Sequence, residues 1–175
     1  RQLIEWAKEY ALDHGEWTAS RHYAVPTTDL PIHKVPKLLR WFQEWMQNVL
    51  FPLLQDQFGA SGISDEKKRF YVHDAFLVRY EATASSNFLP MHFDESTHSC
   101  VLALNDDFDG GGSYIYDLDR SIAPETGGMV SFRGNQCLHG GNPVTRGVRY
   151  ILAIFLFLDR DLACYSSEDE NRIKE

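Results

Sequence analysis

Apolar residues in the first third of the chain recur at helical spacing. Leu3, Ile4, Ala7, Tyr10 and Ala11 share one face, which predicts a helix over residues 1–13 that ends at His14-Gly15. "RHYAVPTTDLPIHKV" follows, with two prolines and a threonine pair, and predicts an extended segment or loop. Pro36 suits the first turn of a second helix. Leu38, Leu39, Phe42, Trp45, Met46, Val49 and Leu50 would share its buried face. Pro52 is expected to kink or split that helix, and Gly59 to stop it. The aromatic stripe is read as core packing against a sheet; a ligand groove is the other reading.

From residue 70 the pattern changes to β-branched and aromatic runs. "RFYVHDAFLVRYEA", "SCVLALN", "GSYIYDL", "GGMVSFRG" and "VRYILAIFLFL" are separated by Gly, Asp, Asn and Pro turns. Such strands without intervening helices predict an antiparallel sandwich or barrel. The expected layout is mainly β with N-terminal helices. It is a single domain over 1–175, with a helical support region at 1–60 and a β core at 70–159. No internal repeat or low-complexity run is present, and the charged tail "SSEDENRIKE" is expected to fray.

Composition narrows the classes. A chain of 175 residues with 43% hydrophobic content fits one globular domain. The apolar run "YILAIFLFL" falls far short of the roughly 20 residues a spanning helix needs, so no membrane span is expected. No signal peptide is visible, but the sequence opens directly on a helix and reads as a piece of a longer chain. A net charge of −8 argues against a nucleic-acid partner and tolerates a cationic substrate. Three cysteines, Cys100, Cys137 and Cys164, form neither a disulfide framework nor a zinc cassette. Cys100 opens the apolar run "CVLAL" and is expected in the core.

The chemistry concentrates in "MHFDESTHSC", residues 91–100. On a strand, His92 and Asp94 would turn imidazole and carboxylate to the same side. Such a pair needs a third ligand. His98 on the same strand would lie about 13 Å from Asp94, too far for one ion; on a helix it would meet Asp94, but His92 would diverge. His139, in the glycine-flanked turn "NQCLHGGNPV", can return beside the first strand and is the favoured third ligand. Glu95 would face the other way. Two histidines and one carboxylate make the facial triad of non-haem Fe(II) oxygenases. A 2-oxo acid chelates two of the open positions and leaves one for O2. Arg149, ten residues after His139, opens the most apolar strand. Burying a guanidinium there is costly without an anion, and its fork fits a carboxylate. It is read as the clamp for the distal carboxylate of 2-oxoglutarate; a salt bridge to a protein carboxylate is the alternative.

At these residues the chain resembles the Fe(II)- and 2-oxoglutarate-dependent dioxygenases of the prolyl 4-hydroxylase type. Within them it is most similar to the C-terminal hydroxylase domain of procollagen lysyl hydroxylases. The matching stretches are "VPTTDLPIHKV", "VRYEATASSNFLPMHFDEST", "LALNDDFDGGGSYIY", "APETGGMVSF" and "LHGGNPVTRGVRYILAIFL", in family order from residue 25 to 158. The resemblance implies a double-stranded β-helix, the jelly roll of cupin-like proteins, with Fe(II) on His92, Asp94 and His139. Arg149, Tyr80 and Asn105 would line the 2-oxoglutarate pocket. It also implies O2 as oxidant and ascorbate to maintain the iron. Beyond the metal ligands it implies no further catalytic residue. Phe93 departs from the histidine usual in lysyl hydroxylases, and glycosyltransferase-like domains have no counterpart here. Prolyl 4-hydroxylases generally carry lysine where this chain has Arg149.

The expected activity is hydroxylation of an unactivated C–H bond, on a peptidyl lysine or proline, with release of succinate and CO2. The alternatives are a hydroxylase of a free amino acid or small metabolite, and a catalytically silent jelly-roll binding module. A zinc hydrolase lacks a general base beside the triad. The family implies the secretory pathway, with a cytoplasmic location also open. The loop "NDDFDGGG", residues 105–112, is either an acidic lure for a cationic substrate or a solvated turn; the turn is favoured.

Overall fold

The computed structural model describes residues 1–15, 17–19, 21, 27–59, 70–85 and 87–158. Part of the extended segment, Cys164, residue 159 and the charged tail lie outside them.

The helical region opens with α1 (Gln2–His14), stopped by Gly15 at φ 110°. The expected extended segment contains β1 (Asp29–Pro31) and a 3-10 turn, Ile32–Lys34. Asp29 is fully buried, and its carboxylate accepts from Arg21 (2.7 Å) and Thr27 Oγ1 (2.5 Å). Pro36 begins α2 (Pro36–Trp45) as anticipated. The proline effect at residue 52 takes the form of a π-turn, Met46–Leu50, leading into α3 (Phe51–Gly59). Pro52 has no N–H to give to the carbonyl four residues back, and the helix widens just before it: Phe51 N–H donates to Met46 O. The wider turn shifts the buried face by one residue. Leu38, Phe42, Leu50 and Leu54 are buried, whereas Val49, expected inside, is exposed.

Eleven strands follow or interleave among the described residues: β2 (Phe70–Glu81), β3 (Leu89–His92), β4 (His98–Ala103), β5 (Asp109–Gly110), β6 (Ser113–Ile115), β7 (Arg120–Ile122), β8 (Met129–Phe132), β9 (His139–Gly141), β10 (Val144–Arg146) and β11 (Val148–Leu158), besides β1. They form a five-stranded sheet, β1-β2-β11-β4-β8, a four-stranded sheet, β3-β9-β6-β7, and the pair β10-β5. All pairings are antiparallel. This is the expected jelly roll with helices on one side.

Apart from Arg149, β11 carries apolar and aromatic residues along its length because both its faces are covered. Tyr150, Leu152, Ile154 and Leu156 join Ile4, Ala7, Leu38 and Leu54 in the core between the large sheet and the helices. Ile151 and Ala153 turn the other way and pack with Phe76, Val78, Tyr80 and Val144 inside the roll. By the same alternation Arg149 faces the interior. Cys100 is buried in the helix-side core, as expected.

Candidate active site

The register of the small sheet brings the two histidines together. His92 closes β3, His139 opens β9, and the two are direct cross-strand partners. The expectation that His139 sits in a turn is therefore corrected: it is a strand residue. Its glycine neighbours serve close packing, since a Cβ on Gly140 would lie 2.9 Å from Leu89 O and one on Gly141 3.1 Å from Leu89 Cβ. Between Leu89 and His92 the β3 register slips, a bulge that accommodates Pro90. β3 also ends at His92, so Asp94 is not on the strand as expected. Asp94 is held by its own N–H, which donates to Gly134 O at 3.1 Å, and by Ser99 Oγ, which donates to its Oδ2 at 2.5 Å.

Each imidazole uses Nδ1–H on the carbonyl two residues earlier: His92 on Pro90 O (2.8 Å) and His139 on Cys137 O (2.9 Å). A carbonyl only accepts, so in each neutral ring the lone pair stays on Nε2. Those Nε2 atoms lie 3.2 Å (His92) and 3.6 Å (His139) from the Asp94 carboxylate oxygens. The three ligand atoms lie within 4.8 Å of one another. Burial opposes charge on all three groups, with different outcomes. For His92 the hydrogen bonds to Asp94 and Pro90 outweigh burial, and its pKa rises. For His139 burial prevails and its pKa falls. The Asp94 carboxyl is lowered despite burial by His92, His139 and Ser99. With both rings neutral, two nitrogen lone pairs and a carboxylate converge on one point, a repulsive arrangement that a cation between them relieves. This N2O donor set fits a divalent ion of the iron or zinc kind.

The structure does not bring His98 to this point. Its ring packs edge-on against Phe58 (4.6 Å between centroids) and Phe70 (5.1 Å), in the region between sheet and helix α3.

Arg149 is buried and pairs across the ladder with Tyr80, its guanidinium carbon 5.7 Å from the Tyr80 ring centre. Its Nη1 is 3.5 Å from Gly112 O and its Nη2 3.4 Å from Ser113 Oγ, both at the outer limit of hydrogen bonding. No carboxylate among the described residues pairs with it, so the salt-bridge alternative is not what the structure contains. Burial lowers its pKa, and burial raises that of Tyr80 to about 12 against the opposing pull of Arg149. The glycines of "DGGG" explain themselves here. Gly111, at φ 67°, passes so close that a Cβ would lie 3.1 Å from Arg149 Cδ and 3.0 Å from Phe108.

Asn105 is buried, and its amide is committed to protein partners. Nδ2 donates to Val148 O and to Asp107 Oδ1, and Oδ1 accepts from Tyr150 N–H, each at 2.7 Å. It ties the backbone on both sides of Arg149. Asn105→Ala is expected to cost about 2 kcal/mol by leaving buried backbone groups unpaired, which lowers the melting temperature by roughly 4–8 °C in a calorimetric scan.

The carboxylates of the acidic loop are also engaged at home. Asp109 takes a two-pronged contact from Arg146 (2.6 and 2.9 Å), Asp107 holds Asn105, and Asp106 accepts from Thr126 N–H at 3.4 Å. This favours the solvated turn over the lure.

Sequence reasoning missed Ser99, which donates to Asp94, and Ser113, which lies beside Arg149. Ser99 had a signal: it stands one place before Cys100 and so faces opposite to it.

A jelly roll whose interior holds a two-histidine, one-carboxylate cluster and an unpaired arginine defines the architecture of the 2-oxoglutarate/Fe(II) oxygenases. Consistent with that class, the fold superposes on a prolyl-4-hydroxylase from Pseudomonas putida with a TM-score of 0.58 at 16% identity, covering 89% of this chain and 83% of the other. No family model matches the chain. By sequence it is a relative of the procollagen lysine hydroxylases. It is 29% identical over 169 residues to the multifunctional procollagen lysine hydroxylase and glycosyltransferase LH3 of Rattus norvegicus, and 38% identical over 137 residues to the procollagen-lysine,2-oxoglutarate 5-dioxygenase 1 of Homo sapiens. These matches cover 89% and 75% of this chain but only 21% and 18% of the relatives. Among the described residues no helix is long and apolar enough to cross a membrane.

Proposed function

We propose that the chain is an Fe(II)- and 2-oxoglutarate-dependent dioxygenase that hydroxylates a C–H bond of a peptidyl lysine or proline. The observation that carries this reading is the pairing of two Nε2 lone pairs and a carboxylate at one point with a buried, unpaired arginine inside the same roll. Bound Fe(II), with 2-oxoglutarate and O2, supplies oxidative decarboxylation to succinate and CO2 coupled to hydroxylation. His92, Asp94 and His139 hold the ion, and their carbonyl and serine contacts keep the donor atoms aimed before it arrives. Arg149 receives the distal carboxylate of 2-oxoglutarate, and the apolar wall of Tyr80, Val78 and Ile151 keeps water from screening that contact. Asn105 acts one step back, by fixing the start of the strand that carries Arg149. Ascorbate serves as the reductant that keeps the metal ferrous. The peptidyl substrate is taken from the relatives, which are procollagen lysine hydroxylases.

The test is an array of lysine- and proline-containing peptides, with free lysine and proline alongside, supplied with Fe(II), 2-oxoglutarate and ascorbate. Succinate formed in step with one added oxygen on a peptide is expected. Oxygen added only to the free amino acids would move the substrate class, and no succinate under any condition would sink the enzymatic reading.

A further inference from the structure

Ser99 lies on β4 between His98 and Cys100, two residues that face the helix side, and turns its own hydroxyl toward the triad. It is 1% exposed, as is Ser96. Ser99 Oγ lies 2.5 Å from Asp94 Oδ2 and 2.7 Å from Ser96 Oγ. A carboxylate only accepts, so the single Ser99 proton goes to Asp94 and Ser96 must donate to Ser99. The result is a directed relay, Ser96 to Ser99 to Asp94. The neighbouring chain leaves space for it only because residue 134 is glycine: a Cβ there would lie 2.5 Å from Ser99 Oγ and 2.7 Å from both Ser96 O and Ser96 Oγ. The same segment is pinned to the relay through Asn135 N–H, which donates to Ser96 O at 2.9 Å.

We infer that Ser99 is a positioning residue that reserves one oxygen of the Asp94 carboxylate, so that Asp94 offers the metal a single oxygen. The inference rests on the metal-binding reading of the triad. Oδ2 accepts the Ser99 proton although it also lies 3.6 Å from His139 Nε2, which leaves Oδ1, 3.2 Å from His92 Nε2, as the oxygen without a hydroxyl donor. The coordination arithmetic gives this a purpose. Two imidazoles and one oxygen leave three positions on a six-coordinate ion, two for the 2-oxo acid and one for O2. A carboxylate binding through both oxygens would leave one position too few.

The experiment is a Co(II) titration of the metal-free full chain, read by visible absorption and by calorimetry, without turnover. Asp94→Ala is the control for the metal reading and is expected to lose Co(II) binding. Ser99→Ala is expected to weaken Co(II) binding by about 10- to 100-fold, the usual effect of removing a group that orients a ligand. Its Co(II) spectrum should differ from the parent's and respond less to added 2-oxoglutarate. Ser99→Thr, which keeps the hydroxyl, should recover much of both. Ser96→Ala should produce a smaller loss of the same sign and covers the case in which Ser99→Ala does not fold. Parent-like Co(II) affinity and spectrum in Ser99→Ala, with Asp94→Ala defective, would overturn the inference and leave the metal reading standing; a lowered melting temperature would then make Ser99 a packing residue only. Parent-like binding in Asp94→Ala would overturn the metal reading itself.

Discussion

His139→Ala is expected to abolish Fe(II) binding and all succinate formation, while His98→Ala keeps both. The reason is geometric. His139 supplies one of the two Nε2 atoms that face Asp94, and its Nδ1–H is already committed to Cys137 O. Among the described residues no fourth His, Cys, Asp or Glu joins the cluster, and Phe132, which packs on His139 (4.5 Å between centroids), offers only a ring. Two of three ligands seldom hold a ferrous ion against water, and without the ion 2-oxoglutarate has nothing to chelate. His92→Ala and Asp94→Ala are expected to behave alike. His98→Ala removes a buried ring wedged between Phe58 and Phe70, so its cost appears elsewhere: a loss of roughly 1–3 kcal/mol of stability and a lower melting temperature, with Fe(II) affinity unchanged. The measurement is Fe(II) titration under anaerobic conditions together with thermal unfolding of each variant. Retained turnover in His139→Ala with loss in His98→Ala would show the ligand set to be wrong.

The parts of this molecule that were legible in the sequence are those whose side chains repeat. β11 announced itself because eleven residues in a row are covered on both faces, and β2 and β4 because they carry long apolar runs. β1, β5, β7, β9 and β10 have two or three residues each, too few for any alternation to register. β9 was further disguised, since "HGG" has the composition of a turn. Its glycines are there because β3 leaves no space for a Cβ, a fact of tertiary packing that no local pattern carries. The π-turn before Pro52 was half legible: the proline predicted a disturbance, but whether the helix breaks or widens depends on which carbonyl captures Phe51 N–H. At the site, His92, Asp94 and His139 stood out as a His-x-Asp pair with a distant third histidine, and Arg149 because a guanidinium is costly in so apolar a strand. Ser99 did not, because a serine in an apolar strand costs little once its hydroxyl has a partner. Asn105 was singled out by resemblance and given a place against the co-substrate; its amide turned out to be spent on the backbone flanking Arg149.

Arg149→Ala should separate co-substrate binding from metal binding, and its expected effect is nearly as large. Arg149 is 5% exposed, its two hydrogen-bond acceptors in the protein sit at 3.4–3.5 Å, and burial already works against its charge. The free protein thus carries an underused cation, and an incoming carboxylate gains the whole contact with little to displace. Removing one partner of such a buried charge pair costs on the order of 2–5 kcal/mol, or roughly thirtyfold to several thousandfold in the apparent 2-oxoglutarate constant. Fe(II) affinity should be largely unchanged. Arg149→Lys should fall between, because lysine keeps the charge and loses the fork. A 2-oxo acid without a distal carboxylate should be a poor co-substrate for the parent and lose little further in Arg149→Ala. Thermal unfolding gives a second measure that needs no turnover. At a hundredfold excess over its dissociation constant, 2-oxoglutarate should stabilise the metal-loaded parent by about 2.7 kcal/mol, a rise of roughly 5–10 °C for a chain of this size. The same concentration should leave the Arg149→Ala melting point almost unmoved. Normal turnover by Arg149→Ala at low 2-oxoglutarate, combined with a lower melting temperature and no loss of the ligand-induced rise, would assign Arg149 to the packing of β11 against Tyr80 and Gly111. The 2-oxoglutarate reading would then stand on the triad and the relatives alone.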